Sequence, residues 1–238
     1  MNIDNFYSEV PVEIWKQVLD ENMHYHFGIH HQDENPFEYA VKILYKFIPE
    51  NSIVLDCGCG WGGPAKMLIK DLNCEVDGVT ISKQQKDYIK DFPVYHEDLH
   101  KFIPPKHYNT ALFLECYTHL ENPKSILNNL YNTVDSIVIK DFASPFPYEV
   151  SNWGMIIRDR KTYYSEIESS GYSIKYYKEY KNLLHPSVEY WYKKIKLLDK
   201  KDVTGQLYFL YQLCRDSILT KYMDVDIRGS VIYAEKNK

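Results

Sequence analysis

The residues whose types and spacing most suggest chemistry lie in "SIVLDCGCGWGG", Ser52 to Gly63, where an apolar run ends in an acid, two cysteines and four glycines. Three chemistries fit such a stretch. Cys57 and Cys59 stand one residue apart and form a minimal metal clip, but no second Cys or His pair follows at finger-like spacing. Gly58, Gly60 and Gly63 match the G-x-G-x-x-G of a dinucleotide turn. That turn wants an acid at the end of the following strand to hold a ribose; the chain has Thr80 there, and Glu75 and Asp77 fall too early. In the third, Asp56 ends the strand just before the turn and aims a carboxylate at a cationic amino-acid ligand. Gly58, Gly60 and Gly62 then let the backbone approach it without β-carbon clashes.

The elements that must position these residues follow from periodicity. Phe37, Ala40, Val41, Leu44 and Ile48 share one helical face in "NPFEYAVKILYKFI", and "SIVLD" reads as a buried strand. After the glycines, Ala65, Leu68, Ile69 and Leu72 mark a second amphipathic helix and "CEVDGVTI" a second strand. The alternation continues through a short strand in "PVYHEDL", a strand in "YNTALFLE", the helix "PKSILNNLYNTV" and the strand "DSIVIKDF". Such alternation implies an α/β fold, a mostly parallel sheet with helices on both faces. Beyond residue 142 the rhythm changes. A helix in "KTYYSEIESSG" and a strand in "YSIKYYKEY" precede two longer helices, and the chain closes on the strand-like "GSVIYAEK". The two longer helices, within residues 180–222, read as an insertion capping the sheet before its last strand. One domain over residues 1–238 is the simplest division, with no internal repeat or low-complexity linker.

"VLDCGCGWGG" followed by "GVTISKQQ" resembles motif I and the second-strand end of the class I S-adenosylmethionine-dependent methyltransferases. Within that superfamily, "GVTISKQQ" resembles the cyclopropane-fatty-acid synthase and mycolic acid methyltransferase branch, with its C- and N-methylating relatives. The resemblance implies a seven-stranded Rossmann-like fold, S-adenosylmethionine (SAM) as cofactor, and the methionine part of the cofactor on Asp56, Cys57, Gly58 and Gly60. It puts Thr80, Ile81 and Gln85 in place of the usual ribose acid, and Asp98 with the Leu99 backbone, in "HEDL", at the adenine. Leu114 and Glu115, in "LFLECYTHLENP", are expected to border the cofactor, and "MHYHFG" to form a lid within residues 1–35 with Tyr25 as its aromatic.

The departures bear on the reaction. Cyclopropane synthases carry Glu-His where this chain has Thr118-His119, and a His at the end of the fifth strand where it has Asp141. Without the carboxylate that helps hold a bicarbonate base, plain methyl transfer to a small-molecule acceptor is expected, with an amine or carbon nucleophile favoured. His119, following the fourth strand, is the first candidate base and Tyr117 its neighbour. His24, His26, His30 and His31 crowd the lid, yet no metal is expected from spacing alone. Asp141, Trp153, Tyr190 and Trp191 are candidates to line an acceptor pocket. "SPFPY", Ser144 to Tyr148, resembles the Ser/Asp-Pro-Pro-Tyr motif of nucleic-acid amino-methyltransferases, but it follows the fifth strand and not the fourth. A protein that keeps a SAM pocket without catalysis is the alternative from another class.

Composition narrows the partners. A net charge of −5 argues against tracking along nucleic acid. No run approaches the length of a membrane span, and "MNIDNFYSEVPVEIW" lacks a signal core. Five scattered cysteines fit reduced thiols, hence a cytoplasmic protein, monomer or homodimer. The 22 tyrosines are read as core filling.

Overall fold

The protein is described by a computed structural model covering residues 9–150, 154–180, 185–219 and 227–237. Its sheet is laid down by strands β1 (Ile53–Cys57), β2 (Glu75–Thr80), β3 (Val94–His96), β4 (Tyr108–Leu114) and β5 (Val134–Ala143), all parallel. A hairpin of β6 (Tyr148–Val150) and β7 (Met155–Ile157) follows, then β8 (Tyr172–Tyr180) and β9 (Arg228–Lys236). The seven-stranded order is β3-β2-β1-β4-β5-β9-β8, with β9 antiparallel to both neighbours. The expected α/β architecture is observed, Rossmann-like and mostly parallel. The hairpin, which shows little apolar alternation, was not anticipated.

The central strands β1, β4 and β5 are buried on both faces, and their side chains alternate between two cores. Leu55, Phe113, Ile139 and Ile232 pack on one side, with Ile126, Leu127 and Leu130 of α5 (Pro123–Leu130) and Tyr163 and Ile167 of α6 (Arg160–Glu168). Val54, Leu112, Val138 and Val231 pack on the other, against Val41 of α2 (Pro36–Lys42) and Ala65 and Leu68 of α3 (Gly63–Leu72). The helix read over "NPFEYAVKILYKFI" stops at Lys42 and gives way to a 3-10 turn, Tyr45–Phe47, yet all five residues of its apolar face are buried.

A third core joins the amino-terminal segment to the helices before the last strand. Val18 and Trp15 of α1 (Val12–Val18), then Met23, Phe27 and Ile29, pack with Val188, Trp191 and Ile195 of α7 (His185–Ile195). Leu207, Leu210 and Cys214 of α8 (Gly205–Leu219) complete it. Trp61 and Phe142 carry this core down to the sheet. The two expected helices thus lie between β8 and β9, packed on the segment read as a lid.

Candidate active site

In a parallel sheet, ligands bind outside the carboxyl ends of the strands. β1, β2, β3 and β4 are hydrogen-bonded neighbours, so every cofactor residue anticipated after them lies along one edge. Asp56, the penultimate residue of β1, sits between Gly78 and Leu112 in register and is 1% exposed. Its Oδ2 has no hydrogen-bond partner, and burial alone raises its carboxyl to about 7. A carboxylate in that state is expensive unless a cation or donor arrives.

The turn beyond it is held by amides of Gly58 and Cys59, which donate to Val79 O at 2.9 and 3.0 Å. Gly58 has φ 76°, and a β-carbon there would come within 2.7 Å of Cys116 Cβ. Gly60 has φ 53°, and a β-carbon there would meet nothing within 4 Å. The two glycines serve different ends: Gly58 permits packing, while Gly60 opens backbone to space. Trp61 follows, fully buried with an unpartnered indole N–H. Cys57 belongs to the core under α5 and Cys59 to the core under α3, so the thiols lie on opposite sides of the sheet and form no clip. Among the described residues no group of three or more His, Cys, Asp or Glu is placed to hold a metal.

At the end of β2, Thr80 Oγ1 donates to Gln85 Oε1 at 2.7 Å and accepts from Ser82 N at 3.1 Å, which fixes the entry to α4 (Lys83–Tyr88). No carboxylate occupies the end of this strand: Asp77 accepts from Tyr108 OH at 2.7 Å and pairs with Lys106 at 3.0 Å, well before it. The Ile81 carbonyl bonds His96 Nε2 at 2.9 Å. After β3, Asp98 Oδ1 accepts from the His100 amide and lies 2.9 Å from its Nδ1, while Leu99 packs on the core. Asp98 therefore organises its own turn. Tyr25 is half-buried, its ring 4.8 Å from Trp15 and 6.1 Å from Trp191.

Beyond β4 the structure departs from several expectations. Leu114 is buried at the strand end, but the Glu115 carboxylate is taken up by Lys140 and by the Phe27 amide at 2.8 Å. Tyr117 is turned into the core: wholly buried, it donates to Glu166 Oε2 at 3.2 Å, and Arg158 lies 5.0 Å from its ring. The side chain expected to act beside His119 is thus part of the core packing. His119 is exposed, with Nδ1 3.2 Å from Gly154 O. Its turn is braced by buried Arg158, which donates to Tyr117 O at 3.2 Å and Leu120 O at 2.7 Å. Asp141 is buried, accepts from Thr118 N at 3.0 Å and Phe142 N at 2.7 Å, and is raised to about 7 by burial.

Of the acceptor candidates, Trp191 is buried and Tyr190 half-buried, while Trp153 lies outside the described residues. His24 and His26 are buried, the first bonded through Nδ1 to Asp20 at 2.7 Å and the second through Nε2 to Phe37 O at 3.0 Å. His31 stacks on Tyr39 with ring centroids 4.2 Å apart. In "SPFPY", Ser144 bonds back to Phe146 O, and Phe146 itself is 78% exposed. Lys140 and Arg158 are not among the residues expected from the motifs, although a lysine inside the apolar strand "SIVIKDF" signals a buried charge that must find a partner.

The mycolic acid cyclopropane synthetase family model matches residues 2–102, less than half of the 238 residues. Over that amino-terminal stretch the chain is similar to the cyclopropane synthase family of class I methyltransferases. Over 109 residues it is 33% identical to (S)-tetrahydroprotoberberine N-methyltransferase of Eschscholzia californica, covering 41% of this chain and 31% of that one. The matched stretch thus spans under a third of that relative's length. Coclaurine N-methyltransferase, solved with N-methylheliamine and S-adenosylhomocysteine, superposes with a TM-score of 0.79 at 16% identity, covering 96% of this chain and 80% of that one. The [4+2]-cyclase SpnF superposes at 0.82 and 12% identity, covering 99% and 96%. The fold of these structures runs through the whole chain, while the family model's match lies in its amino-terminal part, which carries the glycine turn. Among the described residues no helix is long and apolar enough to cross a membrane.

Proposed function

We propose that the protein transfers a methyl group from SAM to a small-molecule acceptor, an amine or carbon nucleophile, by in-line displacement. The observation that carries this is the Asp56 carboxylate, buried and unpartnered on Oδ2, beside a turn whose Gly60 opens onto space. A cationic amino-acid moiety supplies the missing partner, and the buried Trp61 indole N–H lies one residue beyond Gly60. Asp56, Cys57, Gly58 and Gly60 would hold the methionine part, Thr80, Ile81 and Gln85 the ribose, and Asp98 and Leu99 the adenine. Leu114 and the Glu115 backbone would border the sulfonium, with Tyr25 above it.

The cofactor, when bound, supplies an electrophilic methyl on a sulfonium. The chain's own work is to orient the acceptor and exclude water, because in-line displacement gains most from alignment. Trp15, Phe27 and Trp191 form an apolar wall that suits both, and aromatic faces favour a cationic or flat acceptor. The relatives named for N-methylation point to an amine. His119, held by its turn with one ring nitrogen on Gly154 O, is the candidate to take the amine's proton on the other.

A non-catalytic SAM-binding protein, a sensor or partner subunit, is the second reading, since the buried and unpartnered Asp56 Oδ2 speaks for a bound cation and not for turnover. Calorimetry with SAM tests the cofactor, and conversion to S-adenosylhomocysteine in the presence of pooled amines separates the two. No binding at micromolar SAM rejects both; binding without turnover on any pool rejects the first. We place the protein in the cytoplasm on its five free thiols, as a single domain, a monomer or homodimer without nucleic-acid partners.

A further inference from the structure

Glu115 directly follows β4 with φ 55°, a left-handed backbone disfavoured for any residue bearing a β-carbon. Its side chain is 7% exposed and that of Lys140, on the neighbouring strand β5, 1% exposed. The two are ion-paired, and together they grip one residue of the amino-terminal segment. Glu115 Oε2 accepts from Phe27 N at 2.8 Å, and Lys140 Nζ donates to Phe27 O at 2.6 Å. The next amide, Gly28, donates to Ser187 Oγ of α7 at 2.6 Å, where a β-carbon would strike the Pro36 carbonyl carbon at 2.7 Å. The Phe27 ring meanwhile lies 5.3 Å from Phe142 and 5.0 Å from Trp191.

A buried ion pair rarely outperforms well-packed apolar side chains of the same volume as a source of stability. What apolar side chains cannot do is take both the N–H and the C=O of a single residue. We infer that Glu115 and Lys140 are positioning residues: by clasping the Phe27 backbone they hold the segment from Asp20 to Ile29 closed over the carboxyl ends of β4 and β5. They thereby set how long a bound cofactor stays enclosed. For what is enclosed this rests on the methyl-transfer reading; for the clasp itself it rests on the contacts alone. The strained backbone at Glu115 is then the cost of aiming its carboxylate across to Phe27.

The test uses the full chain with Glu115→Gln/Lys140→Met, which removes both charges together, and with Lys140→Arg, which keeps the cationic donor. Three quantities are read: hydrogen exchange at Phe27 and Gly28, stopped-flow tryptophan fluorescence for release of S-adenosylhomocysteine, and Tm. The double variant is expected to exchange and to release ligand at least about ten-fold faster while its Tm stays within a few degrees of the parent. Lys140→Arg should keep exchange and release close to the parent's. Unchanged exchange and release overturn the clasp, as does faster exchange spread evenly over the whole sheet with a matching fall in Tm. If the parent chain binds no S-adenosylhomocysteine, the methyl-transfer reading has failed, and exchange at Phe27 alone still decides the clasp.

Discussion

Thr80 and Gln85 are bonded to each other, hydroxyl to side-chain carbonyl at 2.7 Å, so the last residue of β2 and the first turn of α4 act as one unit. Ser82 completes it, accepting from Gln85 N at 3.3 Å while its own amide donates to the Thr80 hydroxyl. Three polar side chains thus stand where a dinucleotide site has a single acid. Thr80→Val keeps the volume and removes the hydroxyl. It should weaken SAM binding about ten-fold by calorimetry, the loss of roughly one to two hydrogen bonds, while Tm moves by only a few degrees. Unaltered affinity would remove this unit from the cofactor site.

Asp56 makes stability and binding respond oppositely to pH. Its folded carboxyl, raised to about 7, lies above the value near 3.9 of an unfolded chain. The native state therefore holds a proton that the unfolded state has lost, and this contribution is fully present below about pH 4 and gone above about pH 7. Asp141, also raised to about 7, adds in the same direction. The ligand-free protein should accordingly lose Tm between about pH 4 and 7. Asp56→Asn should flatten that slope and raise Tm at pH 8.

Cofactor binding should strengthen over the same window, since a cation on Asp56 favours the ionised form. Below pH 7 SAM affinity should rise with pH and binding should release a proton, read as a dependence of calorimetric heat on the buffer's ionisation enthalpy. Asp56→Ala or Asp56→Asn should abolish micromolar binding. A pH-independent affinity in the parent chain would remove Asp56 from the cofactor contact.

Gly58 and Gly60 separate packing from binding. Gly58→Ala adds left-handed strain of roughly 1–2 kcal/mol to a clash with Cys116, so Tm should drop by many degrees. Gly60→Val carries the strain but points into open space, and should bind SAM far more weakly with a smaller loss of Tm. Thermal scans with and without SAM distinguish them; equal Tm losses in the two variants would contradict the assignment.

His119 and Tyr117 are two residues apart and predicted to behave unlike one another. Tyr117→Phe strands one bond to Glu166, costing about 1 kcal/mol, and should leave turnover near the parent's. His119→Ala should fold normally and bind SAM normally, with turnover on an amine down by about 10² and recovering as pH rises toward the amine's own pKa. Turnover unchanged in His119→Ala removes the proposed base.

The β/α alternation, the glycine turn after "SIVLD" and the five-residue step from Thr80 to Gln85 are local patterns, and local patterns survive without knowledge of the rest of the chain. They were enough to place strands β1, β2, β4, β5, β8 and β9 to within a residue or two and to align the expected cofactor residues along one edge. The helix over residues 35–48 broke early because the apolar face continues through the 3-10 turn: burial satisfied the periodicity, while the hydrogen bonding changed. Tertiary structure alone decided what depends on distant partners. Tyr117 turned inward because Arg158 and Glu166 wait there, 41 and 49 residues away. Cys57 and Cys59 parted because successive strand and turn positions entered different cores. Glu115 found Lys140 across β4 and β5 and Phe27 from 88 residues upstream, so a residue expected to face the cofactor was drawn into holding the segment above it. Side-chain types state which charges must be paired when buried; only the fold states with whom, because the pairing partner is set by which strand ends and loops meet in space.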